Sequence, residues 1–317
     1  MNATGYFTHP DCKKHEMGPG HPECPERLDA IDDWLLATGV LDALMQREAP
    51  FASLNDVELG HDRMMVAALR GLSDTLGDEI DAGGPRYAQL DPDTALNIHS
   101  WDAALRAVGA VVAATDAVIA GEMENAFCAV RPPGHHAVRH RAMGFCLLNS
   151  VAIAAKYALE RHGLARVAVI DFDVHHGNGT EDILRGDERA LMVSFFQHPF
   201  YPYSGTDEPA DNMLNVPVPA YSKGPAVREM IERLWIPRLE AFKPEMIFIS
   251  AGFDAHRDDG LGQMGLVEAD YAWITQQLKA VAARHAKGRI VSSLEGGYNL
   301  KALARSVEAH IRVLADL

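Results

Sequence analysis

The sequence predicts an α/β fold: a single domain with a central parallel sheet flanked by helices. Three observations predict it. Short apolar, β-branched runs alternate with stretches of helical period. The runs are apolar at nearly every position, as strands buried on both faces are. Polar clusters follow several of the runs directly, where ligands collect beyond the carboxyl ends of strands in open α/β sheets.

Taken in order, strands are expected at 126–130, 166–172, 190–196, 246–251 and 289–294. A helix over 101–120 follows Ser100, a good N-cap, and stops at Gly121. Another over 151–162 runs to Gly163, and others are expected over 226–242, 269–287 and about 300–315. Pro237 should kink or interrupt the third of these. Segments 72–100 and 197–225, rich in Gly, Pro and Asp, read as surface connections. Without a long linker, a low-complexity tract or a repeat, one domain is expected over 1–317.

The 317 residues are 48% hydrophobic, enough for a sizeable core. Lys and Arg number 29 against 44 Asp and Glu, a net charge of −15. That balance argues against binding nucleic acid through its phosphates and is neutral to favourable toward a cationic substrate. Cys12, Cys24, Cys128 and Cys146 form no C-x-x-C pair, which excludes a zinc ribbon or a thioredoxin-type motif. The N-terminal residues MNATGYFTHPDCKKHEMG lack a basic region followed by an apolar stretch. No apolar run reaches the ~18–20 residues of a membrane span. A cytoplasmic location without a membrane partner is therefore expected.

The stretch AVIDFDVHHGNGT, 168–180, puts two aspartates and two histidines at the mouth of an apolar strand. Side chains alternate in an extended chain, so Asp171, Asp173 and His175 share one side, a trap for a cation. His176 should point away and be structural. Asp173 and His175 suit zinc, and Asp254 of GFDAH could supply a third ligand from another strand end, leaving one position open for water. Such a zinc benefits from an extra electrophile, and Tyr298 of EGGYN is the candidate, with Gly296 and Gly297 allowing close backbone approach. His135 and His136 follow a PPG turn at a further strand end, and each needs an acceptor to fix its tautomer; Asp171 and Asn178 are available. A His beside a carboxylate gains a raised pKa and one beside an amide does not, which suits one electrostatic and one proton-transfer role.

RPPGHHA, GFC, DFDVHHGNGT, GFDAH and LEGGYN, in this order and preceded by GHPECPERL, resemble the zinc-dependent histone deacetylase family. The Asn of HHGNG and the LEGGYN ending are similar to the class II branch and its bacterial histone deacetylase-like amidohydrolases. The resemblance spans essentially the whole chain and implies the arginase-like fold. It implies zinc on Asp173, His175 and Asp254, Asp171 orienting His135, and His136 with Asn178 in general acid–base work, with Tyr298 on the oxyanion. It also implies Gly144, Phe145, Tyr201, Leu261 and Gly296 along the substrate, and Arg27 beside an inner cavity. A structural potassium ion would bind Asp171, Asp173, His175, Ser194 and Phe195. Tyr201 stands where the family more often has Phe, so the rim should be more polar here.

The reaction so implied is hydrolysis of acetyl-lysine in proteins or peptides, or of an acylated small amine. The first rival is an acetylpolyamine amidohydrolase, whose members place a Glu near the position of Leu261; Asp258 and Asp259 keep it alive. A non-catalytic acyl-lysine binding module would lack a ligand or the tyrosine, and none is missing. A manganese ureohydrolase would need further bridging carboxylates. Met64 and Met65 read as core, His198 and His256 as incidental loop residues, and Cys146 as a buried small hydrophobe.

Overall fold

Runs of Val, Ile, Leu and Phe become strands here because their side chains are buried on both faces of one sheet. The computed structural model describes residues 3–81 and 83–317. In chain order its strands are β1 (Thr4–Thr8), β2 (Met45–Glu48), β3 (Ala88–Asp91), β4 (Thr94–Leu96), β5 (Asn125–Cys128), β6 (Val167–Asp171), β7 (Ala190–Gln197), β8 (Met213–Val218), β9 (Met246–Ala251) and β10 (Ile290–Leu294). Eight form one sheet in the order β2-β1-β5-β10-β9-β6-β7-β8, with every pairing parallel. β3 and β4 form a separate antiparallel hairpin. Helices pack on the sheet to make a single α/β domain, as expected.

The four strands followed by polar motifs, β5, β10, β9 and β6, are consecutive neighbours in the sheet. Their register aligns the ends: Asp171 pairs with Ser250, Ser250 with Ser293, and Ser293 with Cys128. Clusters scattered over more than 160 residues of sequence therefore open onto one edge.

Two expected surface connections contain ordered elements instead. In 72–100, the helix Arg63–Asp81 continues and the β3–β4 hairpin follows. Met65, Val66, Leu69 and Leu76 form that helix's buried stripe, a periodicity obscured by Gly71 and Gly77. In 197–225, β8 pairs with β7; as an edge strand it tolerates Pro217, which disguised it in the sequence. β1 and β2 were not anticipated either.

Other corrections are local. Ser100 is the first residue of the helix Ser100–Ala120 rather than its cap, and its Oγ accepts the Asn97 N–H at 2.8 Å. This helix is long and apolar enough to cross a membrane by length and composition, which the search for apolar runs missed, but two thirds of that window is buried in the domain. Pro237 does interrupt its helix: a π-helical turn, Ile231–Trp235, precedes the helix Ile236–Phe242. Met65 is core, whereas Met64 is 84% exposed. His256 is buried, its Nδ1 accepting the Asp258 N–H at 3.1 Å.

A buried ionic knot fastens the N-terminal segment to the strand ends. Glu23, Arg27 and Arg131 have no exposed surface. Glu23 accepts from Arg131 Nη2 at 2.6 Å and Arg27 Nη1 at 3.0 Å. Arg131 also donates to the Cys12 and His15 carbonyls, and Arg27 Nε to the Gly297 carbonyl at 2.7 Å. Burial alone would raise the Glu23 pKa, but the Arg131 charge and the His15 contact override it and hold the carboxyl well below the usual range. A group with a depressed folded pKa contributes stability above its unfolded value, and loses that contribution as pH falls. Glu23→Ala strands two buried guanidinium groups and should cost about 3–5 kcal/mol, measured by urea unfolding at pH 7. The gap from wild type should narrow below pH ~4.

Candidate active site

β6 ends at Asp171, and the chain then bends so that Asp173 and His175 turn together toward Asp254, carried beyond β9. His175 Nδ1 lies 3.0 Å from Asp173 Oδ1 and 3.2 Å from Asp254 Oδ2. Ligand atoms of these three residues all fall within 4.8 Å of one another. The backbone fixes the carboxylates: Asp173 Oδ2 accepts from Gly296 N–H at 2.9 Å, and Asp254 Oδ1 from Val174 N–H at 2.9 Å. Asp171 does not join this group. It accepts from Asp173 N–H at 3.1 Å and turns its other oxygen to His135.

Both aspartates are fully buried, and among the described residues no lysine or arginine forms an ion pair with either. Burial, then repulsion from Asp173, pushes the Asp254 carboxyl up to about 7. Two buried carboxylates and an imidazole so placed are a group that could hold a divalent cation. Gly296 is essential to it, because a Cβ there would collide with carboxylate oxygens of Asp254 and Asp173.

The histidine pair follows β5. His135 Nδ1 is 3.0 Å from Asp171 Oδ2, and His136 Nδ1 is 2.7 Å from Asn178 Oδ1, with the rings 4.1 Å apart. Burial opposes a charge on His135, but the Asp173 and Asp171 carboxylates outweigh it and carry the pKa well above the ordinary value. Burial, then the charge on His135, carries His136 well below it. The separation matches the expectation from a carboxylate and an amide partner. His136 is thus neutral, with Nδ1–H directed to Asn178 and Nε2 free to accept a proton.

Tyr298 follows Gly297, whose φ of 119° only glycine adopts readily. Its N–H donates to Asp259 Oδ2 at 2.6 Å, its ring meets Phe145 edge-on at 5.9 Å, and Arg27 lies 5.0 Å from the ring centroid. Burial raises the phenol pKa well above its usual value despite Arg27, so the hydroxyl keeps its proton.

A pocket of ≈ 250 Å³ opens onto this edge, lined by His136, His175, Tyr298, Phe145, Tyr201 and Leu261. Gly144 lines it as well; its missing Cβ lets the backbone approach the His136 ring. Gly296, expected along the substrate, does not line the pocket: its N–H is committed to Asp173. Ser194 stands beside Asp171 in the register of β6 and β7, with Phe195 next to it, and Ser194 Oγ donates to Asn215 at 3.1 Å. His176 is structural as expected, with Nδ1 2.8 Å from Ser204 and Nε2 2.9 Å from Glu181. Cys146 is a buried thiol whose sulfur accepts the His136 N–H at 3.4 Å.

Several residues at the pocket were missed. Phe200 stacks on His175 with ring centroids 5.4 Å apart, although it adjoins the expected Tyr201. Asp93 and Gly260 also line it. Thr94 holds the wall: its Oγ1 accepts the N–H of Phe145 at 3.0 Å, where Phe145 adopts a left-handed φ of 66°. That conformation costs about 1–3 kcal/mol and persists only where its surroundings over-determine it. In the sequence only the turn-forming DPD before Thr94 marked the place.

The profile of the histone deacetylase domain matches residues 21–314. An uncharacterized protein of Synechocystis is 39% identical over 95% of this chain and 96% of its own. The histone deacetylase-like amidohydrolase of Pseudomonas aeruginosa is 35% identical over 93% of this chain and 82% of its own. The crystal structure of the HDA15 HD domain superposes with a TM-score of 0.91 at 32% identity, covering 99% of this chain and 88% of that one.

If Asp173, His175 and Asp254 hold a divalent cation such as zinc, Gly296→Ala should weaken its binding about 10–100-fold, the usual cost of disturbing a group that orients a ligand. Calorimetric titration of the purified protein with zinc measures it. Affinity equal to wild type would show that the carboxylates do not need the space the glycine leaves.

Proposed function

Because this chain belongs to the histone deacetylase family, we propose that it hydrolyses N-acyl amides with zinc held by Asp173, His175 and Asp254, and that acetyl-lysine in peptides or proteins is its substrate. The observation that carries the reading is the single pocket onto which His175, His136 and Tyr298 all open. Two carboxylate oxygens and one imidazole nitrogen suit zinc, and the bound ion would supply Lewis acidity toward the acyl carbonyl and a water.

The chain's own residues do the rest. An extended acyl-lysine would run between Phe145 and Tyr201, which line the pocket, with its carbonyl toward His136, His175 and Tyr298. His136 Nε2 takes a proton from the attacking water as oxygen bonds to the acyl carbon. The Tyr298 hydroxyl donates to the oxygen on which negative charge develops. His135, whose pKa the Asp173 and Asp171 carboxylates carry well above the ordinary value, stabilises that charge electrostatically. His136 then returns its proton to the departing nitrogen as the C–N bond breaks, giving acetate and a free amine. A potassium ion on Asp171, Asp173, His175, Ser194 and Phe195 belongs to the same proposal, supported by the pairing of Asp171 with Ser194 across β6 and β7.

The choice of acyl-lysine rests on the pocket edge. Leu261 presents an apolar side chain there. The neighbouring acids are already engaged: Asp259 accepts from the backbone of Leu261, Tyr298 and Asn299, and Asp258 lies 3.7 Å from Arg305. One observation favours an acetylated polyamine instead. Asp93 lines the pocket, with its pKa raised to about 6 by burial and then by Asp91, and it would be anionic at neutral pH.

Tyr298→Phe deletes one hydroxyl and should lower kcat on an acetyl-lysine peptide about 10²–10³-fold, with KM and zinc content little changed. Trifluoroacetyl-lysine, with its electron-poor carbonyl, should lose less. Near-normal turnover of the acetyl substrate would make the tyrosine a turn residue only. For the substrate itself, wild type should show higher kcat/KM on acetyl-lysine peptides than on acetylspermidine. Leu261→Glu should move the ratio toward the polyamine, since a carboxylate at the edge pairs with a distal ammonium. A wild-type preference for acetylspermidine would replace the first reading with the second.

A further inference from the structure

The hydrolysis described above gives no task to Glu295, the acidic residue of LEGGYN. It leaves β10 with 1% of its surface exposed. Oε2 accepts the N–H groups of Gly134 at 2.6 Å and His135 at 3.1 Å, and Oε1 accepts from Ser250 Oγ on β9 at 3.2 Å. One carboxylate thus ties together the ends of three adjacent strands, β5, β10 and β9.

His135 is gripped on its other sides as well. Its carbonyl accepts from Gly179 and Thr180 N–H at 2.9 and 3.1 Å, and its ring meets Asp171. Glu295 supplies the anchor on the amide side. His135, Cys146 and Glu295 also bring ligand-type atoms within 4.8 Å of one another, which could suggest a second metal. The hydrogen bonding argues otherwise: the carboxylate is occupied by three donors, Nδ1 of His135 by Asp171, and the Cys146 sulfur by the His136 N–H, while Nε2 of His135 faces Asp173 at 3.7 Å.

We propose that Glu295 is a positioning residue: its carboxylate fixes the backbone of Gly134 and His135, and so the placement of the His135–His136 pair for amide hydrolysis. The catalytic part of this proposal rests on the function proposed above; the anchoring part does not. Without the acceptor, two N–H groups lose their partners where no water reaches, and the turn carrying both histidines must shift to satisfy them. Displacing a reacting group by about 1 Å can cost 10²-fold in rate. Glu295 is not among the residues lining the pocket, so substrate affinity should change little.

Two replacements separate reach from charge. Glu295→Gln keeps the reach: its amide oxygen can accept both N–H groups and its amide nitrogen can donate to Ser250 Oγ. Glu295→Asp keeps the charge and withdraws the acceptor by one methylene. Each full-length variant is tested for hydrogen exchange at the Gly134 and His135 amides, zinc per chain, and kcat and KM on an acetyl-lysine peptide. Expected for Glu295→Asp are faster exchange at both amides and kcat about 10²-fold lower, with KM and zinc content near wild type. Glu295→Gln should retain protection and most of kcat. Unchanged exchange in Glu295→Asp, or a Gln variant as impaired as the Asp variant, would overturn the proposal. If wild type hydrolysed no acyl amide while exchange responded as described, the proposed function would fall and the anchor would stand.

Discussion

The structure depends on keeping several carboxylates buried at one edge of the sheet. Asp171, Asp173, Asp254 and Glu295 have at most 1% of their surface exposed. Unpaired, such a collection would cost several kcal/mol per ion. Backbone N–H groups absorb much of the cost: those of Asp173, Val174, Gly296, Gly134 and His135 each donate to one of these carboxylates. The charge that remains is directed at His135 and at the space between Asp173, His175 and Asp254. The loops after β5, β6, β9 and β10 must therefore follow one another closely, and the glycines among them are fixed by that closeness.

Much of this was legible in the sequence because it is local. A chain reading DFDVHH brings Asp173 and His175 together by spacing, and the apolar runs marked five of the six interior strands, β5, β6, β7, β9 and β10, to within a residue or two, leaving out only β1. The opposite shifts of His135 and His136 were expected from their partners, Asp171 and Asn178 in the adjoining strand loop, although burial and the charge on His135, not the amide, are what lower His136. Ordered motifs added what spacing could not, by linking Asp254 and Tyr298 to the same centre.

What stayed hidden depends on contacts between distant segments. Edge strands β2 and β8 are too polar or too interrupted to resemble buried strands, and only their pairing defines them. Thr94 reaches Phe145 across 51 positions and Glu295 reaches His135 across 160, distances over which side-chain periodicity carries no signal. The family resemblance implied Gly296 as part of the substrate wall. In the fold its N–H faces the carboxylate of Asp173. Asp258 and Asp259 looked like free rim charges, whereas one caps the backbone of its own loop and the other meets Arg305.

The hydrogen bond from Phe145 to Thr94 separates two kinds of inheritance in this molecule. The reacting groups are set by the great sheet, whose interior strands tolerate little change of volume. One wall of the channel is set by a small hairpin outside that sheet, which also brings Asp93 to the pocket. Within the hairpin the partly exposed β3 is freer to change than the buried β4, and a change that moves Thr94 moves Phe145. The shape of the pocket is thus partly decided by a segment outside the sheet, so its wall can be remade while the polar edge of the sheet stays as it is.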